Sequence, residues 1–416
     1  MTKQKRMIIW SVLAVLVLIL AVFIGLNLTI SVKTPTPVPT ATPVVSPSAT
    51  TITPVGSVIG PETLAGFEPS SASFISPQIG FVFGVANCGP GSCPAIAKTK
   101  DGGKSWSLIQ APVSLVREGN LRNYADYGMR FVDELNGYVY GPDLYATHDG
   151  GVSWQKITLE GLPTPSSVFS LETTGTKTYL IAGTPNVDPS PNYLYISNSP
   201  AGDFVQSKYG FPTGTPTRIS ANAYGAVIVA NNSGALALPT DPNGYLYYQA
   251  SETSTWTHLK AKCPGDFPGT PVAALASPVS GSTTPQLLLG CGGGVAAGSQ
   301  EKTVLKSTDL TTFTKTKKDP PLSGDLEAIA SPDGKTIAVG ASSGATFIYV
   351  SSDGGTSWKT AFSDTTSGGS LVHDLVFIDA TKGSAVEGYA TTPGTRTSIF
   401  LIMTRDRGIS WQEITF

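Results

Sequence analysis

Three carboxylates are the first candidates for chemistry. Asp325 and Glu327 are two residues apart, so in a strand both side chains project from one face, and Asp374 stands at the opening of the next comparable apolar segment. Carboxyl pairs roughly 6.5–9.5 Å apart, with a water between them, perform inverting glycoside hydrolysis. Solvated carboxylates at strand ends have the same spacing and no such role, so both readings stay open. A second candidate is the stretch VREGNLRNYADYGMR, in which Arg117, Arg122, Tyr124, Asp126, Tyr127 and Arg130 combine directed donors with aromatic area. That mixture suits a recognition surface, and it also suits a plain solvated loop. The four cysteines, Cys88, Cys93, Cys263 and Cys291, are even in number, which in an oxidising compartment reads as two disulfides. A metal site is the alternative, but no His or carboxylate accompanies them. No cofactor is implied, because GCGGGVAAG at 290–298 does not satisfy G-x-G-x-x-G and no helix follows it.

The elements that must position these residues repeat. The strings TKDGGKSW, THDGGVSW, SSDGGTSW and TRDRGISW end at Trp106, Trp154, Trp358 and Trp411, each reading Ser/Thr-x-Asp-x-Gly-x-Ser-Trp. Weaker copies end at Phe204, Trp256 and Phe313, and the seven aromatic positions are 48, 50, 52, 57, 45 and 53 residues apart. Around each copy the text has the same grammar: an apolar strand, a turn, a Gly-led second strand, a short third strand, the Asp turn and a fourth strand. Four short strands in about 50 residues make one propeller blade. Residues 57–416 therefore read as an all-β, seven-bladed β-propeller, with Ser57–Leu64 expected to help close the ring. With 45 Gly, 32 Pro and 13% charged residues, a helical bundle is excluded.

The repeated string resembles the Asp-box, or BNR repeat, of the sialidase-like superfamily, and the single-propeller photosystem II assembly factors are similar in length, blade number and turn placement. The resemblance implies that Asp101, Asp149, Asp353 and Asp406 are structural, each accepting hydrogen bonds from its own turn while Trp106, Trp154, Trp358 and Trp411 pack between blades. It also implies that the boxes lie on the face opposite any active site. The strand order then places both Cys263 and Cys291 on that opposite face of blade 5, and Cys88 and Cys93 in the corresponding loop of blade 1, so those are the expected pairs. A sialidase site would need three arginines, a Tyr–Glu pair and an acid. Glu387 and Tyr389 share a strand face and Arg130, Arg218 and Arg396 come from three blades, yet no Arg-Ile-Pro motif precedes the first box and Glu387 maps to a second strand.

Residues 7–30 begin with twenty uncharged, mostly apolar residues from Met7 to Leu26, long enough as a helix to cross about 30 Å of hydrocarbon. With Lys3, Lys5 and Arg6 before it, the segment is expected to be an uncleaved transmembrane signal anchor that leaves residues 1–6 in the cytoplasm and the rest of the chain outside a cell membrane. Residues 31–56 are Thr/Pro-rich, with six prolines from residue 34 onward, and are expected to form an extended linker. The first 60 residues carry +4 and the remainder −6, which argues against nucleic acid as a partner. The expectation is a membrane-tethered, non-catalytic platform for a glycan or a protein, with a glycoside hydrolase as the alternative.

Overall fold

The computed structural model describes residues 61–416 apart from residues 90, 113–126, 185–191, 201, 209–216, 231–244, 252–254, 262, 266–270, 366–370 and 389–398. The expected membrane segment 7–30, the linker, and Arg117, Arg122, Tyr124, Asp126, Tyr389 and Arg396 lie outside the described residues. Among the described residues no helix is long and apolar enough to cross a membrane.

Residues 58–416 form one compact unit. It contains seven four-stranded antiparallel sheets, each made of four consecutive strands. We number these blades 1–7. Their first strands are Glu68–Phe74, Gly128–Phe131, Ser167–Thr173, Thr217–Asn222, Val272–Ala276, Asp325–Ala330 and Val372–Phe377. Each first strand lies against the next around a central axis, and that of blade 7 lies against that of blade 1. The result is a seven-bladed β-propeller.

Burial explains why the second strands read as nearly continuous apolar runs. A sheet covered on both faces has no reason to alternate, and Gly137–Tyr140, Thr178–Gly183 and Ile337–Ser342 are buried at every position. Seven hydrophobic clusters each draw on two neighbouring blades, for example Phe81 and Ile96 of blade 1 with Met129 and Tyr145 of blade 2. The fourth strands are short and polar where they meet solvent, as in Thr314–Lys315 and Gln412–Glu413, which blunts an otherwise sticky sheet edge.

The Asp turns between third and fourth strands satisfy themselves. Asp149 Oδ1 accepts from the Thr147 hydroxyl (2.8 Å) and the Ser153 amide (2.9 Å), and Oδ2 accepts from the Ser153 hydroxyl (2.5 Å). These bonds lower its pKa to about 2, chiefly through the Ser153 hydroxyl. Asp101, Asp353 and Asp406 accept the same set of bonds from Ser105, Ser357 and Ser410. Gly150 and Gly151 adopt φ of 74° and 91°, the left-handed region that a side chain resists, whereas Arg407 accepts a φ of 66° at the equivalent place in the last turn. The tryptophan that follows ties one blade to the tail of the preceding one: Trp154 Nε1 donates to the Gln110 carbonyl and Trp358 Nε1 to the Lys318 carbonyl, both at 2.9 Å.

The face carrying the Asp turns we call the lower face. The upper face holds the connections between blades and the turns joining second to third strands. Two disulfides lie toward this face: Cys88 is bonded to Cys93 across the hairpin of blade 1, and Cys263, in the connection entering blade 5, to Cys291 within that blade's second strand Gln286–Ala296, each with Cα atoms 5.7 Å apart. Since no described cysteine is free, thiol alkylation of the unfolded, unreduced chain should add no label, and mass spectrometry finding two or more labelled cysteines would contradict this pairing.

Candidate functional site

A first strand pairs with its own second strand on one edge only, and its other edge faces the axis with unpaired backbone groups. The chain answers with polar side chains from the neighbouring blade. Ser71 Oγ accepts the Met129 amide (3.0 Å), Ser73 Oγ the Phe131 amide (2.9 Å), Ser170 Oγ the Ile219 amide (3.2 Å) and Gln300 Oε1 the Leu326 amide (2.7 Å). At the junction of blades 7 and 1 a carboxylate takes this part, with Asp374 Oδ2 accepting the Ala72 amide at 2.9 Å and the Ser71 hydroxyl at 2.6 Å. In blades 1, 3, 6 and 7 the pairing register of the first strand shifts at a bulge, a device that re-aims side chains. Glu327 and Asp374 both occupy these bulges, and Asp374 has a φ of 51°.

Two charged groupings result. In the first, Arg130 of blade 2 reaches across the axis. Its Nη2 donates to Glu172 Oε1 of blade 3 and Asp374 Oδ1 of blade 7, each at 2.7 Å, and its Nε donates to Glu172 at 3.0 Å. Nη1 donates to the Met129 carbonyl (2.7 Å) and contacts Ser71 Oγ (3.2 Å). Only 13% of the Arg130 side chain, 20% of Glu172 and 12% of Asp374 meet solvent. Burial opposes every charge here. For Arg130 the two carboxylates outweigh it and the guanidinium holds its proton more tightly than usual. For Asp374 burial is outweighed by Arg130, His373 and Ser71, so its pKa is lowered. Burial wins at Glu172 despite Arg130, and its pKa is raised. One guanidinium thus holds two acids and links first strands of blades 2, 3 and 7, with Ser71 adding blade 1.

The second grouping lies at the starts of the first strands, toward the upper face. Arg218 Nη1 of blade 4 donates to the Glu327 carbonyl of blade 6 at 3.1 Å. The Glu327 carboxyl accepts a long bond from the Ser342 hydroxyl (3.4 Å), and burial, only partly offset by Arg218, raises its pKa to about 7. Asp325 adds a like charge nearby, and its Oδ1 is buried with no hydrogen-bond partner. Beside them Lys302 is 1% exposed and donates to the carbonyls of Gln300, Leu322, Ser323 and Gly324 at 2.9, 2.8, 3.2 and 2.6 Å. Burial depresses its pKa to about 8.

Asp325 and Glu327 therefore lie together, while Asp374 is engaged elsewhere by Arg130. Tyr127 and Arg130, which the sequence grouped as one loop, also separate: Tyr127 packs beside Phe83 in the core between blades 1 and 2, with ring centroids 6.4 Å apart. Glu172, Ser71 and Lys302 escaped the sequence reading. The available signal was positional, since Arg130, Glu172 and Asp374 all occupy first strands of the repeat. Among the described residues no three His, Cys, Asp or Glu side chains converge as metal ligands.

No protein-family profile matches the chain, and no curated protein matches it in sequence. Solved structures do match in fold. The YCF48 protein bound to D1 peptide aligns with a TM-score of 0.51 at 16% identity, covering 84% of this chain and 95% of that one. A PL25 polysaccharide lyase, an ulvan lyase bound to -[GlcA(1-4)Rha3S]-, aligns at 0.52 with 10% identity over 82% and 95%. The β-propeller domain of the Trilobed protease from Pyrococcus furiosus, described as having an open velcro topology, aligns at 0.52 with 10% identity over 85% and 97%. At these identities the likeness is one of fold: this chain is a β-propeller similar to both binding proteins and enzymes.

Proposed function

We propose that the chain is an Asp-box propeller, tethered outside a cell membrane by residues 7–30, that binds a protein segment or a glycan at the upper mouth of its axis without turning it over. The observation that carries this reading is the sharing of Arg130 by Glu172 and Asp374. It leaves these two deep carboxylates as neither a free nucleophile nor a free acid. The two disulfides support the same face, since they stiffen the upper hairpin of blade 1 and the connection entering blade 5 and so lower the entropy lost on binding. Two structures similar in fold carry one such ligand each, YCF48 a D1 peptide and the ulvan lyase a sugar.

One observation favours a second reading, glycoside hydrolysis: Glu327 holds its proton to about pH 7 beside Asp325, as a general acid would. A glycan array and a peptide array probed with the chain in nanodiscs, followed by product analysis, separate the two. Binding is expected without product, weakened at least about tenfold by Arg218→Ala with an unchanged Tm. Product release that disappears in Glu327→Gln would replace the binding reading with the hydrolase.

A further inference from the structure

Where blades 6 and 7 meet, one buried acid is left without a counter-charge. Glu387 ends the second strand of blade 7, opposite Val372 and Phe400, so it belongs to the upper end of that blade. It is completely buried, and neither carboxylate oxygen makes a well-formed hydrogen bond, although the Thr346 hydroxyl and the Asp364 carboxyl are set against it. From blade 6 it is met by Thr346, which opens the third strand, and by Asp364, which ends the fourth and pairs with Thr346 across the sheet. Thr346 is also fully buried, and its hydroxyl, turned toward Glu387, makes no well-formed hydrogen bond either. Glu413, on the fourth strand of blade 7, adds a further negative charge at longer range. Among the groups that act on Glu387 most strongly none is cationic. A buried carboxylate without a counter-charge costs several kcal/mol, and here a second acid and a single hydroxyl face it.

We propose that Glu387, Asp364 and Thr346 form a binding site for a hard divalent cation, Ca2+, at the upper end of the seam between blades 6 and 7. The donors are all oxygens, which suits Ca2+ and not the nitrogen and sulfur preferences of zinc or copper. Two carboxylates supply the charge, the hydroxyl a neutral ligand, and water and main-chain carbonyls complete a shell of six to eight. A cation there would join two blades that share no strand. It would also stiffen the sheet that carries Glu327, because Ser342, the partner of Glu327, pairs directly with Thr346. The inference stands apart from the proposed ligand at the mouth and does not depend on it.

The competing neutraliser is a proton. Burial raises the Glu387 pKa to about 7, with Asp364 and Glu413 pushing in the same direction against Thr346. With protons alone, the folded chain keeps this proton between about pH 4.5 and 7 while the unfolded chain has lost it, so stability falls as pH rises through that window. Thermal unfolding of the full chain in detergent at pH 8, after EDTA treatment, tests the two against each other. Titrating CaCl2 should raise Tm saturably by several degrees, with MgCl2 and matched NaCl giving little, and calorimetry should count one Ca2+ per chain. Glu387→Gln should abolish both signals, and Thr346→Val should weaken them; if the Gln variant does not fold, the Val variant is decisive. No Ca2+ shift in the parent, together with Glu387→Gln more stable than the parent at pH 8 and equal to it at pH 4, would overturn the site and leave the proton as the neutraliser.

Discussion

Arg130→Met is expected to destabilise the propeller by on the order of 3–5 kcal/mol at pH 7, the range for removing one partner from a buried ion network. The substitution keeps much of the side-chain volume but strands Glu172 and Asp374 where each is mostly shielded from water. It also strips a donor from Ser71, whose hydroxyl organises the junction of blades 1, 2 and 7. The loss should depend on pH. In the parent, Arg130 helps to hold the Asp374 pKa below its ordinary value, so ionised Asp374 stabilises the fold above that value and the benefit disappears in acid. In the variant both orphaned acids can take protons, and the gap from the parent should narrow from pH 7 to pH 4. Urea unfolding at the two pH values measures this directly. Neutralising the pair as well, with Glu172→Gln and Asp374→Asn, should recover a large part of the loss. A penalty below about 1 kcal/mol, the scale of an exposed ion pair, would mean that the network is solvated and does not clamp the axis.

Phe416→Ala should cost about 2–3 kcal/mol, somewhat under the range for a fully buried phenylalanine because this ring is half-buried. Among the described residues every sheet is built from four consecutive strands, so none of them is shared between blades 7 and 1. Side chains close the ring. The Phe416 ring lies 4.5 Å from Phe67 and 4.9 Å from Trp106, within a cluster that joins Ala72 and Val82 of blade 1 to Leu401 and Met403 of blade 7. Trp106 needs that contact more than its counterparts do, because its Nε1 is buried and unbonded, whereas those of Trp154 and Trp358 each donate to a carbonyl of the preceding blade. Hydrogen exchange should show faster opening in blades 1 and 7 than in blades 3 and 4. A Tm equal to that of Val152→Ala, which alters a side chain 78% exposed, would show that the seam does not rely on the ring.

Of the stretch expected to help close the ring, residues 57–60 lie outside the described residues, and Leu64 contributes its side chain to the seam between blades 7 and 1.

The repeat was legible because its causes are local. Each Asp turn closes through bonds spanning two to four residues, so it is written out in full within eight letters, and a strand buried on both faces needs only an apolar run. Those two signals, at blade-sized intervals, were enough for the fold class and the number of blades. The pairing of Arg130 was not legible. Its acids are 42 and 244 residues away and come from blades on opposite sides of it, and bulges that leave no mark in an apolar pattern turn Glu327 and Asp374 away from regular register. Nor does any local pattern place Glu387 against Asp364, since these residues meet only where two separately coded sheets press together. Hydrogen bonds within a turn are properties of a short string, and the sequence by itself determines them. Charge neutralisation around the axis and between blades is a property of the closed ring, and only the tertiary structure decides which charges face one another.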